Sequence, residues 1–305
     1  MLAIVIPYYK LAFFESTLMS LISQTDKRFN VYIGDDDSPE SPSVLLDKYG
    51  STLNFVYQRF GSNLGGTALV KQWERCVAMV GDEKWIMILG DDDTIEDNCV
   101  ASYYKHIAQV EEKKINVIRY ASVVIDQNDI KLSGIHEHKI IEKSPDFLMR
   151  KFKGGTRSSL SEYVFRKSAM QSVGFKNLPL AWYADLLAVL EISNFDAIYT
   201  INEGVVCFRI SGLNITSRTD NLTPKNIASF QFYYYLLKDK EDVLNKEQKN
   251  MLLKRLEKTF LDNKKNANFW MLFTKLYMSN FYFMKYLFFI AKMLKSIFKK
   301  IMRKN

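Results

Sequence analysis

The chain has 305 residues, of which 48% are hydrophobic and 25% are charged, a balance that supports a large buried core and excludes intrinsic disorder. Its three cysteines, Cys76, Cys99 and Cys207, are far apart and include no CxxC pair, which excludes a disulfide framework and a cysteine-bound zinc site. The formal net charge is +8, but the last 25 residues carry seven cations and no acid. The body of the chain is therefore nearly neutral, which argues against a nucleic-acid binder.

The first 125 residues alternate between short apolar runs and helical patterns. Runs of β-branched and aromatic residues predict strands at 3–6, 31–33, 53–57, 85–89 and 116–124. Apolar residues at helical spacing predict helices at 14–22, 44–49, 69–80 and 96–110. This alternation predicts an α/β fold with an open, mostly parallel sheet and helices on both faces.

The later part of the chain changes character twice. Residues 126–225 are less regular, with a Ser-rich stretch and short predicted strands near Ala197 and Val205. Beyond residue 225 the pattern is helical only. We therefore expect one domain over 1–225, with halves at 1–125 and 126–225, followed by a helical region over 226–305.

Two acidic clusters follow strands of the predicted sheet. Asp35–Asp37 come directly after the second strand, and Asp91–Asp93 come directly after the fourth. Ligands of doubly wound sheets bind beyond the carboxyl ends of the strands. Adjacent carboxylates repel one another, and a divalent cation such as Mg²⁺ or Mn²⁺, which prefers oxygen ligands, relieves that repulsion. One cluster alone also fits a solvated turn in which Thr94 or Asp93 caps a helix, but two clusters favour a ligand site.

The same residues resemble a known family. The run Ile4–Lys10, the stretch Leu18–Thr25 and the turn Asp35–Ser38 are similar to the opening of family 2 glycosyltransferases. Asn63-x-Gly65 and Gly90–Asp93 continue the likeness. Trp73–Cys76 together with Leu89–Asp93 resembles a bacterial surface-polysaccharide branch, and the resemblance covers roughly residues 2–215.

This resemblance implies a GT-A fold and a nucleotide-sugar donor. By position, Asp36 would accept a hydrogen bond from the base of the nucleotide, with Asp35 alongside. Pro7 and Tyr9 would line the nucleoside pocket. A carboxylate facing the base fits the imide N–H of uracil or thymine. We therefore expect a UDP-sugar, with dTDP and GDP as the alternative carriers.

The resemblance also implies a bound Mn²⁺ or Mg²⁺. Asp92 would be the principal metal ligand of a DxD-type motif, with Asp91 and Asp93 beside it. Many members of the family have an acid where this chain has Gly90, which leaves the frame of the motif open by one residue. Lys10 replaces a commoner Asn, and its contact is left open.

Cations that could neutralise the leaving diphosphate are Arg209, which lies after a late predicted strand with Ser211 and Asn214, and Lys71 on the helix after Asn63. A plain surface ion pair is the alternative for Arg209.

An inverting sugar transfer needs a carboxylate that takes the proton of the acceptor hydroxyl. In the resembled family this acid opens a helix after a Gly-Phe turn. Here Gly174-Phe175 is followed by Asp185, the only acid between Glu162 and Glu191. We predict that Asp185 is the general base, the alternative being that it only favours the positive end of its helix.

Several further residues near this position are candidates for the acceptor side. Residues Ser158, Ser159, Ser161 and Glu162 precede a strand that borders the acceptor in related sequences. Trp182 either stacks on a sugar ring or belongs to the core. His136 and His138 are spaced like metal ligands, but their polar surroundings predict surface residues.

The C-terminal segment is basic and amphipathic. One predicted helical stripe is Ile290, Leu294, Ile297 and Ile301; another is Lys292, Lys295, Lys299 and Arg303. No uncharged run approaches the roughly 20 residues needed to span a bilayer. We expect this helix to lie on an anionic membrane surface, the alternative being a helix packed on the catalytic domain or on a partner subunit.

Together these features predict a bacterial, metal-assisted inverting glycosyltransferase of cell-surface polysaccharide synthesis, acting on a glycan or lipid-linked acceptor. The chain starts without a basic leader or cleavage signal, so we expect it in the cytoplasm, at the inner face of the membrane. A non-catalytic membrane scaffold with a decayed transferase domain is one alternative. A phosphatase of the haloacid dehalogenase type is another, but it needs Asp-x-Asp-x-Thr, and here Thr94 directly follows Asp93.

Overall fold

The computed structural model describes residues 1–212, 219–279 and 282–302, with side chains described up to residue 295. The chain divides into two compact units, residues 1–221 and 222–305. The first unit is a sheet with helices, and the second consists of helices.

The sheet of the first unit has nine strands within the described residues. They are β1 (Leu2–Tyr8), β2 (Phe29–Asp35), β3 (Phe55–Arg59), β4 (Trp85–Ile88), β5 (Thr94–Ile95), β6 (Val117–Ile125), β7 (Ile141–Lys143), β8 (Tyr163–Arg166) and β9 (Ala197–Arg209). Their order is β3-β2-β1-β4-β8-β6-β9-β5, with β7 also paired to β9. Strands β5, β7 and β8 run antiparallel to their neighbours and the other six share one direction, so the predicted open, mostly parallel sheet is confirmed.

The helices of the first unit connect these strands. They are α1 (Phe14–Ile22), α2 (Ser43–Tyr49), α3 (Gly65–Val77), α4 (Cys99–Glu112), α5 (Ser144–Phe152), α6 (Lys167–Val173) and α7 (Ala184–Ile192), with short 3₁₀ turns at Leu160–Glu162 and Pro179–Ala181. Every residue of β1 from Leu2 to Ile6 is buried, so both faces of the sheet are covered there. The core includes Ile4, Ile33 and Leu18.

Helix α3 lies unusually close to β2. A Cβ atom at Gly34 would meet the Cys76 sulfur at 2.3 Å, so only glycine permits this approach. Gln72 of the same helix donates a hydrogen bond to the Gly34 carbonyl at 2.8 Å. This contact fixes α3 against the strand that ends in the first acidic cluster.

The second unit contains α8 (Leu222–Asp239), α9 (Lys246–Asp262), α10 (Ala267–Ser279) and α11 (Phe283–Met302), with a 3₁₀ turn at Glu241–Val243. Asn245 and Gln248 form a reciprocal capping box that begins α9. Aromatic rings form its core: Phe273 lies 4.3 Å from Phe260 and 5.0 Å from Phe289, between ring centroids.

The described side chains of helix α11 are unevenly buried. Phe289 is buried and Ile290 is half-buried, whereas Leu294 is exposed. The other exposed apolar side chains of this helix are Phe283, Met284, Leu287 and Phe288. The side chains of Ile297, Lys299 and Ile301, and the whole of Arg303, lie outside the described residues. None of the helices that the structure places is long and apolar enough to cross a membrane.

Candidate active site

A cavity of about 510 Å³ opens where β1 and β4 end. Pro7 and Tyr9 line it on the β1 side, and Asp91–Asp93 line it on the β4 side. Asp36, after β2, and residues of α3 complete the wall. We call this the acidic cavity, and it brings together six of the predicted site residues from three separate strand ends.

Asp36 holds the loop that begins α3. Its carboxylate accepts hydrogen bonds from the backbone N–H of Leu64 at 2.8 Å and of Gly65 at 2.7 Å, and it pairs with Arg75. A Cβ atom at Gly65 would lie 2.6 Å from the Asp36 carboxylate, so the glycine is required for this contact. The Arg75 guanidinium also lies over the Phe60 ring at 4.0 Å. Asp36 therefore shapes the cavity wall as well as lining it.

Asp35 points away from the acidic cavity. It is fully buried and accepts hydrogen bonds from the Ser38 backbone N–H at 2.8 Å and the Tyr57 hydroxyl at 2.7 Å, and it pairs with Arg59 at 3.2 Å. Burial, assisted by the neighbouring Asp35 carboxylate, raises the pKa of Tyr57 to about 12. The structure thus places Asp35 behind the wall, where it anchors β3.

The three carboxylates of the second acidic cluster differ in their hydrogen bonds. Asp91 accepts hydrogen bonds from the backbone N–H groups of Tyr9 at 2.7 Å and Lys10 at 2.8 Å. Asp93 accepts from the Ser161 hydroxyl and from the backbone N–H of Arg209 at 2.9 Å. Within the described residues, the Asp92 carboxylate accepts no hydrogen bond from another residue. Asp91 and Asp93 therefore brace the turn, and Asp92 is the carboxylate left for a ligand.

The electrostatics of this cluster favour a cation. The pKa of Asp91 and that of Asp93 are each raised to about 7, mainly by burial and to a lesser extent by the negative charge of Asp92. Burial also raises the pKa of Asp92, and Lys10 opposes that rise. Carboxylates in this state gain from a divalent cation that binds oxygen ligands.

The number of protein ligands for such a cation is small. Across the described residues, no three His, Cys, Asp or Glu side chains are arranged so that they could hold a metal ion together. Mg²⁺ at nucleotide sites is commonly held by one or two carboxylates together with phosphate oxygens and water. Asp92 fits that mode, because it supplies one carboxylate to the lining of a cavity large enough for a diphosphate.

The two predicted diphosphate cations do not line this cavity. Lys71 is exposed and pairs with Glu74 at 2.6 Å. Arg209 is fully buried and donates to the Asp92 carbonyl at 2.7 Å and to the Asp129 carboxylate at 2.6 Å, so it supports the acidic turn from behind. Asn214 lies outside the described residues. Among the described residues, the cation that lines the cavity is Lys10, whose contact the sequence left open.

A second cavity, of about 390 Å³, adjoins the first, and we call it the Asp185 cavity. Asp185 lies in the first turn of α7. Three non-glycine residues of the preceding loop have left-handed backbone: Leu180 (φ 58°), Ala181 (φ 51°) and Tyr183 (φ 68°). Such residues are strained, and strain of this kind concentrates at functional sites. Trp182, from the same loop, is half-buried and lines the cavity.

The Asp185 carboxyl is shielded from water. Burial raises its pKa, whereas the backbone N–H of Leu186 and the nearby Lys151 and Arg157 lower it. Lys151 and Arg157 both line the cavity, and neither position was predicted from the sequence. They come from α5 and the loop before β8, and no local motif marks them.

Five residues line both cavities: Leu69, Trp73, Ser159, Leu160 and Phe208. Of the predicted acceptor-side residues, Ser158 and Ser159 line the Asp185 cavity and Ser161 lines the acidic cavity. Glu162 lines neither cavity; it is fully buried and pairs with Arg157 at 3.0 Å. The two cavities are therefore neighbouring chambers with a common wall.

The predicted surface position of His138 is wrong. Only 7% of this residue is exposed, and its Nδ1 atom lies 2.7 Å from Arg150. Burial and the nearby Arg119 and Arg150 lower the pKa of His138 to about 2. His138 is therefore a neutral core residue, because cations rather than metal-binding acids surround it.

A model of glycosyl transferase family 2 matches residues 3–166, which is more than half of the chain. The chain belongs to glycosyl transferase family 2. It is accordingly a glycosyltransferase that depends on a nucleotide sugar. The family assignment made from the sequence motifs is confirmed.

Solved structures with the same architecture include fragments of TarS from S. aureus. Residues 1–349 of TarS in complex with UDP-GlcNAc match with a TM-score of 0.61 and 15% identity, over 85% of this chain and 71% of that one. The same fragment in complex with UDP matches with a TM-score of 0.57 and 14% identity, over 87% and 72% of the two chains. At this identity the likeness establishes the fold, and the predicted GT-A fold is confirmed. A search of curated proteins finds no match.

Proposed function

We propose that this family 2 enzyme is an inverting glycosyltransferase with its donor in the acidic cavity and its acceptor in the Asp185 cavity. The observation that carries the proposal is the common wall between a chamber lined by Asp92 and a chamber lined by Asp185. Sugar transfer needs a nucleotide diphosphate on one side of the anomeric carbon and a base on the other. The adjacency of the two chambers supports this assignment.

On the donor side, we assign the nucleoside to the part of the acidic cavity near Pro7, Tyr9 and Asp36. One Asp36 oxygen accepts from both Leu64 N–H and Arg75, whereas the other accepts only from Gly65 N–H and has a second lone pair that suits the uracil imide N–H. This chemistry favours a UDP-sugar, and the fold is shared with a protein crystallised with UDP-GlcNAc and with UDP.

Asp92 is the residue that we assign to a bound Mn²⁺ or Mg²⁺. A divalent cation held by Asp92 would contribute positive charge that stabilises the diphosphate as a leaving group. Asp91 and Asp93 hold the turn so that Asp92 faces the cavity, and Lys10 adds a second positive charge on the same side.

On the acceptor side, Asp185 takes the proton of the attacking hydroxyl. The acceptor oxygen forms a bond to the anomeric carbon, the bond from that carbon to the phosphate oxygen breaks, and the nucleoside diphosphate leaves. Because burial raises the pKa of Asp185, this carboxylate is a stronger base than one in water. Attack from the side opposite the diphosphate inverts the anomeric centre.

We assign the acceptor to a glycan or a lipid-linked precursor of a bacterial surface polysaccharide, with residues 1–225 as the catalytic domain. The helical region over 226–305 then associates with the inner face of the cell membrane. In α11, the exposed Met284, Leu287 and Phe288 lie within one arc, with Lys285 and Lys292 along its edge. Apolar side chains beside lysines suit an anionic lipid surface.

The first test is the binding of UDP to the full chain, measured by calorimetry with and without Mn²⁺. We expect binding that depends on the metal and that Asp92→Asn weakens at least tenfold. Asp47→Asn, which changes an exposed acid of α2, is the matched control and should bind like the unmodified enzyme.

Three other results would change the proposal. Binding of dTDP or GDP in place of UDP would correct only the carrier. Metal-independent binding would remove the role of Asp92. If no nucleoside diphosphate binds under any condition, the catalytic assignment fails and the non-catalytic scaffold takes its place.

A further inference from the structure

The described lining of the Asp185 cavity contains more cations than acids. Lys151 and Arg157 both line it, and Asp185 is the only acid among the lining residues that the structure describes. The rest of the lining is largely apolar or aromatic, including Trp182 and Phe208. With Asp185 ionised, the lining itself carries one more positive than negative charge, and Glu162, which pairs with Arg157, lies behind the lining.

Arg157 is held by one edge of its guanidinium. Its Nη1 atom donates to the Ser122 hydroxyl and to the Glu162 carboxylate, each at 3.0 Å, and the group lies over the Phe208 ring at 4.3 Å. No acceptor among the described residues takes a hydrogen bond from Nε or Nη2, and 16% of the side chain is exposed. The remaining edge is thus fixed in place and available to a ligand.

Glu162 explains why this edge is fixed. It is fully buried, and burial raises its pKa while Arg157 lowers it. A carboxylate at that depth is stable only when it is paired, so the pair constrains Arg157 in return. An arginine with one edge anchored and the other available is preorganised to bind two oxygens of a carboxylate or a phosphate.

Lys151 adds a second cation from another element. It lies in the last turn of α5, is half-buried, and is close enough to Asp185 to lower the pKa of that carboxyl. Because Lys151 and Arg157 approach from different parts of the chain, the chamber has two cations around one base.

We propose that the acceptor carries an anionic oxygen group, a carboxylate or a phosphate, which Arg157 and Lys151 hold beside the hydroxyl that Asp185 deprotonates. This inference rests on the proposed function, because it takes the Asp185 cavity as the acceptor site. It adds the chemical class of the acceptor. The anionic group orients the acceptor, and Asp185 remains the group that receives the proton.

The test compares three small acceptor analogues on the full chain saturated with UDP and Mn²⁺. They are methyl glucoside, which is neutral, methyl glucuronoside, which carries a carboxylate, and glucose 6-phosphate. Binding is followed by tryptophan fluorescence, since Trp73 and Trp182 line the chamber. We expect at least one anionic sugar to bind about tenfold more tightly than methyl glucoside, as one or two charge-assisted hydrogen bonds provide.

The anionic sugar that binds identifies the source of the charge. Preference for the glucuronoside indicates a uronic acid in the acceptor, and preference for the phosphate indicates a phosphorylated one. Equal affinities for all three sugars would overturn the proposal. It would also be overturned if inorganic phosphate bound as tightly as glucose 6-phosphate, because the site would then recognise a free anion and not an acceptor.

Two variants separate charge recognition from folding. Lys151→Gln removes one cation, with Lys153→Gln, an exposed neighbour, as its control. The double variant Arg157→Gln with Glu162→Gln removes both charges together, so that no buried carboxylate is left unpaired. We expect both to reduce the anionic preference to about twofold or less, with the affinities for methyl glucoside and UDP unchanged.

Retention of the full preference in both variants would overturn the proposal. The UDP titration in the same samples keeps the two proposals apart. If the unmodified chain does not bind UDP but prefers anionic sugars, and the variant without Arg157 loses that preference, only the assignment of UDP to the acidic cavity is refuted.

Discussion

Replacement of Asp36 by Asn tests whether this carboxylate holds the wall of the acidic cavity. In the native enzyme one carboxylate oxygen accepts from the Leu64 N–H and Arg75, and the other accepts from the Gly65 N–H. Asn keeps one acceptor and puts an NH₂ donor in the other position. At least one of these donors then loses its acceptor, and Arg75 loses its counter-charge.

The expected loss of stability follows from those contacts. A buried donor left without an acceptor costs about 1–3 kcal/mol, and the lost charge on the remaining bonds adds about 1 kcal/mol. The variant should therefore lose about 2–4 kcal/mol of unfolding free energy. For a unit of this size that corresponds to a fall in melting temperature of about 4–15 °C.

The adjacent Asp37 offers a matched control. Its side chain is 44% exposed and pairs with an equally exposed Arg59, and Asn tolerates its left-handed backbone. Asp37→Asn should shift the melting temperature by less than about 2 °C, because exposed ion pairs contribute little. Scanning calorimetry of the three proteins decides the matter. Shifts of equal size in the two variants would show that the Asp36 contacts do not support the fold.

Three further predictions concern the acid cluster, the base and the C-terminal helix. The free energy of unfolding of the metal-free enzyme should fall as pH rises from about 4 to 7, because the pKa of Asp91 and of Asp93 is about 7 in the folded state and lower in the unfolded state. Chemical denaturation across this pH range should show the fall in stability, and added Mn²⁺ should reverse it. Asp185→Asn should lower kcat about 10²–10⁴-fold. In the unmodified enzyme, the acid limb of the pH–rate profile should lie above the ordinary pKa of an aspartate, and it should move higher in Lys151→Gln. An acid limb at the ordinary value would contradict the assignment of Asp185 as the base. Phe288→Asp should weaken binding to anionic vesicles about tenfold in a flotation assay, whereas Val44→Asp, an exposed site on α2, should not.

The sheet and the acid cluster were predictable because their signals are local. Continuous apolar runs such as 85–89 predict buried strands, and an acidic triplet directly after one of them marks a ligand-binding strand end. The sequence also indicates that Asp36 and Asp92 approach each other, because parallel strands place their carboxyl ends at one edge.

Hydrogen-bond partners across long separations were not predictable. Arg209 reads as a cation after a strand, but its partner Asp129 lies 80 residues earlier, and this pairing turns the side chain away from the cavity. Lys71 is likewise paired with an acid, Glu74, which lies three residues later on the same helix. The position of the Arg157 guanidinium depends on its ion pair with Glu162, which is buried. The sequence does not predict that burial, because Glu162 is a charged residue in a Ser-rich stretch.

The wall between the two cavities limits how this enzyme can change its substrates. Leu69 and Trp73 belong to α3, the helix whose start Asp36 fixes, and both residues face both chambers. A substitution that enlarges one chamber at Trp73 necessarily alters the other. New donors and new acceptors should therefore arise together when this helix varies, and separately only through positions such as Tyr9 or Trp182, each of which lines a single chamber.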